Sequence, residues 1–480
     1  MTESYTWKMY LLVVMSIVLS TAMYFFTLSP LSLAPVALPI GFIIINQLRF
    51  LEASSGVMIV VTLAFLLDDV AAVPWVSVET ITETLGFFLY KSIKVTLLEV
   101  MAVFLCIWSW VTADTARKKN WFNTGLVVGM TLIGLYTFTA VTGFIIGKTN
   151  GGDLSGHMYQ TRMHHVIVVW FALGFMTLSS WDKFESLIKV IVYVTIFKGL
   201  QGVFNYIVHY DVFSSAEYLI DHPWSIWAAM TMFYLVITVR QRKSPRYTSW
   251  AVTAFIPLLV SFAVNDRRTS LIGIIVTLGV LALQLPRKFY VENRNRLIVS
   301  AGIFILFAGA TWNMNPPIGV IGSTYRSLTA TAEERGHQDY RDQENMNILH
   351  SVSISPFTGV GTGVEFQNVA NMPDIRDIYP QFLLLPHNML LTTWGTYGPF
   401  GIAVLCTILT FMLGLAAKLM ISADPTKKMI GILSFLFYVQ FLAFIIADLG
   451  LISQRPVLLG GLLTGGLWRM YNQDKLETNL

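Results

Sequence analysis

A chain of 480 residues that is 55% hydrophobic and only 12% charged is not an ordinary soluble protein, in which about a quarter of residues carry charge. Its net charge of +4 gives no basis for a nucleic-acid partner, and its two cysteines, Cys106 and Cys406, fall inside apolar runs, which excludes a disulfide framework or a cysteine metal site. The composition is that of an integral membrane protein.

Apolar runs of roughly 17–25 residues recur from end to end, each long enough to cross a hydrocarbon core of about 30 Å as a helix. The first follows MTESYTWK, whose single lysine and lack of a small-residue cleavage site read as a retained span rather than a removable signal peptide. Spans are predicted at 9–27, 31–46 (interrupted by Pro35 and Pro39), 56–74, 93–112, 123–146, 165–180, 186–208, 223–239, 248–264, 269–285, 297–312, 399–417, 429–447 and 453–468. The expected fold is therefore an all-α polytopic membrane protein of about 12–14 transmembrane helices. In the span 186–208, Lys198 falls near the bilayer centre with Gln201 close by. An ammonium there costs about 2.5–3.5 kcal/mol, which an anionic ligand, a polar cavity or pairing with Asp68 or Asp69 would offset. The sequence leaves these open.

Basic residues in short loops mark the cytoplasmic side. TARKKN (115–120), RQRKSPR (240–246), PRKFYVENRNR (286–296) and DPTKK (424–428) fall on one side together with both termini. The loops 147–164, with His157 and His164 followed by His165, and 209–223 then face outward. So does the longest loop, 313–385, whose length marks it as functional. Within it, RGHQDYRDQENMNILHSVSIS predicts a helix, stopped by Pro356 and followed by the glycine-rich turn PFTGVGTG.

Three outward groups carry chemical potential. Arg267 and Arg268 in NDRRTS present planar forks suited to phosphate, or else snorkel to lipid head groups. The glycines after Arg341 allow close approach of a bulky ligand, although as a bare motif a structural turn is the stronger reading. In PHNM, Pro386 is expected to start a helix with His387 in its first turn, where the helix dipole disfavours the cation and a neutral imidazole can act as a base. Taken alone, that histidine reads more simply as a structural one bonded to a loop carbonyl. No nucleophile elbow, HExxH, phosphate-binding loop or acidic cluster is present, and His337 and His350 lack ligand spacing, so neither metal nor cofactor is expected.

NDRRTSLIGI, then the long loop running from Arg341 to PFTGVGTG, then PHNMLLTTWGTYGPFGI, resembles the bacterial O-antigen ligase and polysaccharide polymerase superfamily. The resemblance extends over roughly 190–410. Two positions depart from the pattern: Asn345 stands where an aromatic, usually tryptophan, is frequent, and Asp266-Arg267-Arg268 offers two arginines for one place. The resemblance implies a GT-C-type, metal-independent inverting glycosyltransferase in the bacterial inner membrane with its site facing the periplasm. Its donor would be a glycan on undecaprenyl diphosphate, and its acceptor a sugar hydroxyl of another glycan or of lipid A–core. His387 would be the general base, and Arg267 or Arg268 with Arg341 would bind the diphosphate, supported by Lys198, Asn388 and Arg335.

Four segments are expected: N-terminal helices (1–185), central helices with the donor-site arginines (186–312), the large loop and surface helix (313–398) and C-terminal helices (399–480). Ligase and polymerase are close alternatives. A polytopic lipid or solute transporter is the competing class, although no internal repeat points to one. A structural scaffold would leave the arginines and His387 without a role.

Overall fold

The computed structural model describes residues 53–66, 86–90, 93–208, 223–265, 268–284, 287–314, 322, 338–374, 376, 382–447, 450–451 and 453–478. They are helical throughout except for loops and one two-stranded antiparallel hairpin, β1 (Gly86–Tyr90) with β2 (Ile93–Thr96). The chain is an all-α polytopic membrane protein. In order, the helices are α1 (Ala53–Leu66), α2 (Leu97–Thr112), α3 (Thr115–Asn123), α4 (Leu126–Thr149), α5 (Leu154–Thr177), α6 (Trp181–Val208) and α7 (Trp224–Arg242). They continue as α8 (Pro245–Val264), α9 (Arg268–Leu283), α10 (Arg287–Ala310), α11 (Gln338–Ile354), α12 (Met389–Met420), α13 (Pro425–Ala447) and α14 (Gln454–Thr478).

Local chemistry explains the boundaries. Ser244 caps α8 ahead of Pro245, and Asp424 Oδ1 accepts from the amides of Thr426 (2.8 Å) and Lys427 (3.0 Å) at the start of α13. The two basic loops predicted from RQRKSPR and DPTKK are therefore helix-capping turns as well as topological signals. Hydroxyls inside the helices return to the carbonyl one turn back, as Thr177, Thr238, Thr277 and Thr393 do, so their burial leaves no orphan group.

Helices stand at the predicted spans from 123–146 onward. Five among the described residues are long and apolar enough to cross a membrane: α4, the Trp181–Phe204 part of α6, α8, α12 and α13, with the α2–α3 pair, bent by 114°, as a sixth. The expected count of about fourteen exceeds this because several helices at predicted positions are short or polar. The apolar part of α9 is only Ser270–Leu283, and α5 carries three histidines and an arginine. The predicted spans 9–27 and 31–46 lie outside the described residues. Two boundaries are corrected. Residues 93–96 belong to the hairpin rather than to the span at 93–112. The segment 154–164, expected in a polar loop, is the first half of α5, where His157 and His164 are buried.

The described residues divide into two compact units, one from 1–130, 169–194 and 461–480, the other from 131–168 and 195–460. In the first, the glycines of α14 admit close helix approach. A Cβ on Gly465 would strike the Phe171 carbonyl of α5, and one on Gly174 would strike the Leu462 backbone. Arg469 of α14 donates through Nη1 to the carbonyls of Phe175 (3.0 Å) and Met176 (3.1 Å), closing the end of α5. In the second unit α13 packs against α7, α9 and α12, with Trp227 stacked on Phe437 at 5.7 Å. The candidate functional residues belong to this second unit.

Candidate functional site

Helix α11 is the helix expected inside the long loop, and it carries Arg341 and Glu344 on successive turns. Side chains three apart on a helix are neighbours, about 5–6 Å between Cβ atoms. Arg341 is exposed and donates through Nη1 to the Ala447 carbonyl at the end of α13 (2.9 Å). Glu344 faces inward, with its side chain only 8% exposed. Its Oε2 accepts from the His387 backbone amide at 3.2 Å and lies 2.8 Å from the Nδ1 of the same residue. Glu344 and His387 are thus brought together from positions 43 residues apart, with Arg341 one turn away on α11.

His387 is not in the first turn of a helix. Helix α12 begins at Met389, and Asn388 is its cap, accepting from the Leu391 amide at 3.1 Å. Asparagine supplies the short side-chain acceptor that a helix start favours, so Pro386 and His387 remain in the approach to the helix. Asn388 therefore has a structural role, and the His387 ring is bonded to a carboxylate.

The segment leading to His387 is held from several sides. Leu383 adopts φ 63°, a left-handed conformation that is strained for a bulky residue, while its carbonyl accepts from the Phe366 amide (2.9 Å). Gln160 of α5 donates through Nε2 to the Leu384 carbonyl (2.8 Å) and accepts from the Gly363 amide (2.7 Å). A single buried amide therefore ties the glycine turn to the histidine segment.

That turn resolves the question its glycines raised. Gly359, Gly361 and Gly363 have φ of 68°, 84° and 77°, and a Cβ on each would meet backbone of Thr396, Gly147 and Asp153 respectively. The close approach is to the chain itself, and the turn is structural. It is stitched down by Val360 N to Gly395 O (2.8 Å), Gly361 N to Thr396 O (3.0 Å), Thr362 N to Gly143 O (2.9 Å) and the His157 Nδ1–Thr362 Oγ1 bond (2.6 Å). The chain also bends after His387: Gly398 breaks the helical conformation inside α12 (φ 65°, ψ −165°), directly before Pro399.

The remaining predicted residues are placed less fully. Arg267 and Arg335 lie outside the described residues, and Arg268 is described only as the first residue of α9. Lys198 is buried on α6, and the carbonyl of its neighbour Gly199 accepts from Ser261 Oγ of α8 (2.7 Å). Asp68 and Asp69 lie outside the described residues. Among the described residues no group of three or more His, Cys, Asp or Glu side chains is arranged to hold a metal ion.

Sequence reasoning passed over Glu344, Gln160 and His157. Glu344 had a signal, since it follows Arg341 by three on the same predicted helix, but its pairing with a residue 43 positions later is not visible in spacing. Gln160 and His157 were hidden by reading 147–164 as a loop.

No curated protein matches the chain. Residues 253–406 match the O-antigen ligase family. The match covers α8 to the middle of α12 and includes Arg267, Arg268, Arg341, Glu344 and His387, while 190–252, where the resemblance was expected to begin, is outside it. The matched segment is about a third of the chain, and over that segment the chain is similar to the O-antigen ligase family.

Proposed function

We propose that the protein transfers a glycan from a polyprenyl diphosphate carrier, undecaprenyl diphosphate in bacteria, to an acceptor sugar hydroxyl at the outward, periplasmic face of the inner membrane. The observation that carries this reading is the pairing of His387 with Glu344 one turn from Arg341, inside the segment that matches the O-antigen ligase family. His387 takes the proton of the acceptor hydroxyl, and Arg341, with Arg267 or Arg268, neutralises the diphosphate as it departs. Fixed guanidinium groups suit that task because they face growing negative charge with no reorganisation during reaction. The lipid tail stays in the bilayer while the sugar reacts at its surface, which is where a loop helix docked on the end of a span belongs. Ligase and polymerase share this donor chemistry and differ in acceptor, lipid A–core or a second lipid-linked glycan.

Arg341→Lys keeps the charge and loses the fork. The expected result, with purified protein and an undecaprenyl-diphosphate glycan, is a rise in donor KM of about tenfold, in line with loss of one charge-assisted hydrogen bond. Unchanged kinetics would remove Arg341 from the donor site.

A further inference from the structure

We infer that Glu344 is a positioning residue for His387: it accepts the Nδ1 proton, fixes the ring, and leaves Nε2 as the nitrogen that meets the acceptor hydroxyl. This inference rests on the transfer reading above and gives Glu344, there only the partner of His387, a role of its own. One carboxylate oxygen takes two donors from the same residue, the His387 amide (3.2 Å) and the ring Nδ1 (2.8 Å). Backbone and ring are therefore gripped at a common point, and rotation of the ring breaks one bond while the other holds the main chain. The carboxylate is buried, so this is not a solvent-screened surface pair. Its rigidity is inherited from α11, whose Ile348 and Val352 pack on Phe366.

Helix α11 carries Tyr340, Arg341 and Asp342 within about a turn of Glu344, and α5 holds the approach segment to His387 through Gln160. The Tyr340 phenol, one turn before Glu344, is pushed up to about 12, first by burial and then by the negative charge of Glu344.

The tautomer of a neutral imidazole is set by the bond its other nitrogen makes, and an acceptor at Nδ1 selects the form with a free Nε2 lone pair. During transfer the acceptor O–H bond breaks and its proton moves to Nε2. The oxygen forms the new bond to the anomeric carbon as the carbon–oxygen bond to the diphosphate breaks, and the diphosphate leaves with that electron pair. The imidazolium so formed lies at the positive end of α12, and Glu344 supplies the negative charge it needs there.

The test joins ring-nitrogen NMR of [15N]histidine-labelled full-length protein in nanodiscs to transfer kinetics, with His387→Ala assigning the His387 signals by difference. The expected signature is a protonated Nδ1 and a bare Nε2 at His387, lost in Glu344→Leu. Glu344→Gln is expected to lower kcat by about 10²-fold or more with donor KM within about twofold, and Glu344→Asp to recover part of it. A wild-type ring protonated at Nε2 alone, or Glu344→Gln at the wild-type kcat, overturns the inference. Should Glu344→Gln fail to fold, the wild-type tautomer decides. If His387→Ala is inactive while Glu344→Gln is not, the positioning role fails and the transfer reading stands; if His387→Ala keeps full activity, the transfer reading itself fails.

Discussion

His387→Ala is expected to lower glycan transfer by about 10²–10⁴-fold, the contribution of a positioned general base, while the protein still folds. The fold survives because the imidazole is 29% exposed and, among the described residues, is bonded only to Glu344. The backbone amide of residue 387 keeps its own bond to that carboxylate, and Asn388 caps α12 independently. Losing the ring leaves Glu344 with one donor fewer, a cost of about 1–3 kcal/mol that a thermal midpoint in detergent would register without loss of the folded state. Initial rates of transfer set against that midpoint separate chemistry from stability. Full activity in the alanine variant would strip His387 of its role.

The second large effect falls on stability. Gly361→Ala is expected to destroy the folded protein, because a Cβ there would land on the backbone of Gly147 and Ile146 and residue 361 would have to keep φ 84°. Conformation alone costs about 1–3 kcal/mol, and the neighbour cannot yield, since Thr362 bonds to Gly143 one turn from the collision. Gly134→Ala in the same helix α4 is the control. Nothing lies within 4 Å of a Cβ at that position, so it is expected to be neutral or to stabilise by about 0.5–1 kcal/mol. Thermal midpoints of the two variants check this, and equal stability would contradict the packed-turn account.

How much of this was legible in the sequence differs between fold and site. Long apolar runs announce helices because every backbone polar group in hydrocarbon must bond within its own segment, so α4 to α10 and α12 to α14 are found close to where hydropathy puts them. The first half of α5 escaped because His157, Gln160, His164 and His165 make it polar. Of these, His157, Gln160 and His164 bond to the glycine turn, the histidine segment and Tyr397 respectively, which hydropathy cannot anticipate. The helix expected to start at Pro386 starts three residues later, at Met389, because Pro386 and Asn388 are both helix-start residues and only the bond from Leu391 shows which one caps.

Within the site, Arg341 and His387 stand out by residue type and surroundings. Glu344 does not, since a carboxylate three residues from an arginine on a helix most often makes an ordinary surface pair. Its burial and its reach across 43 residues to His387 come from tertiary packing. The glycines of PFTGVGTG show the converse. Their left-handed φ was signalled by composition, while the partner they approach, the chain's own backbone, was not.

The stoichiometry of the reaction in proteoliposomes holding the purified protein, an undecaprenyl-diphosphate glycan and an acceptor glycan, with chelator present, separates glycan transfer from transport. One undecaprenyl diphosphate is expected to be released for each new glycosidic bond, both formed only when the acceptor is on the face that exposes α11. Movement of the lipid-linked glycan across the bilayer with no bond formed would contradict transfer and favour a transporter.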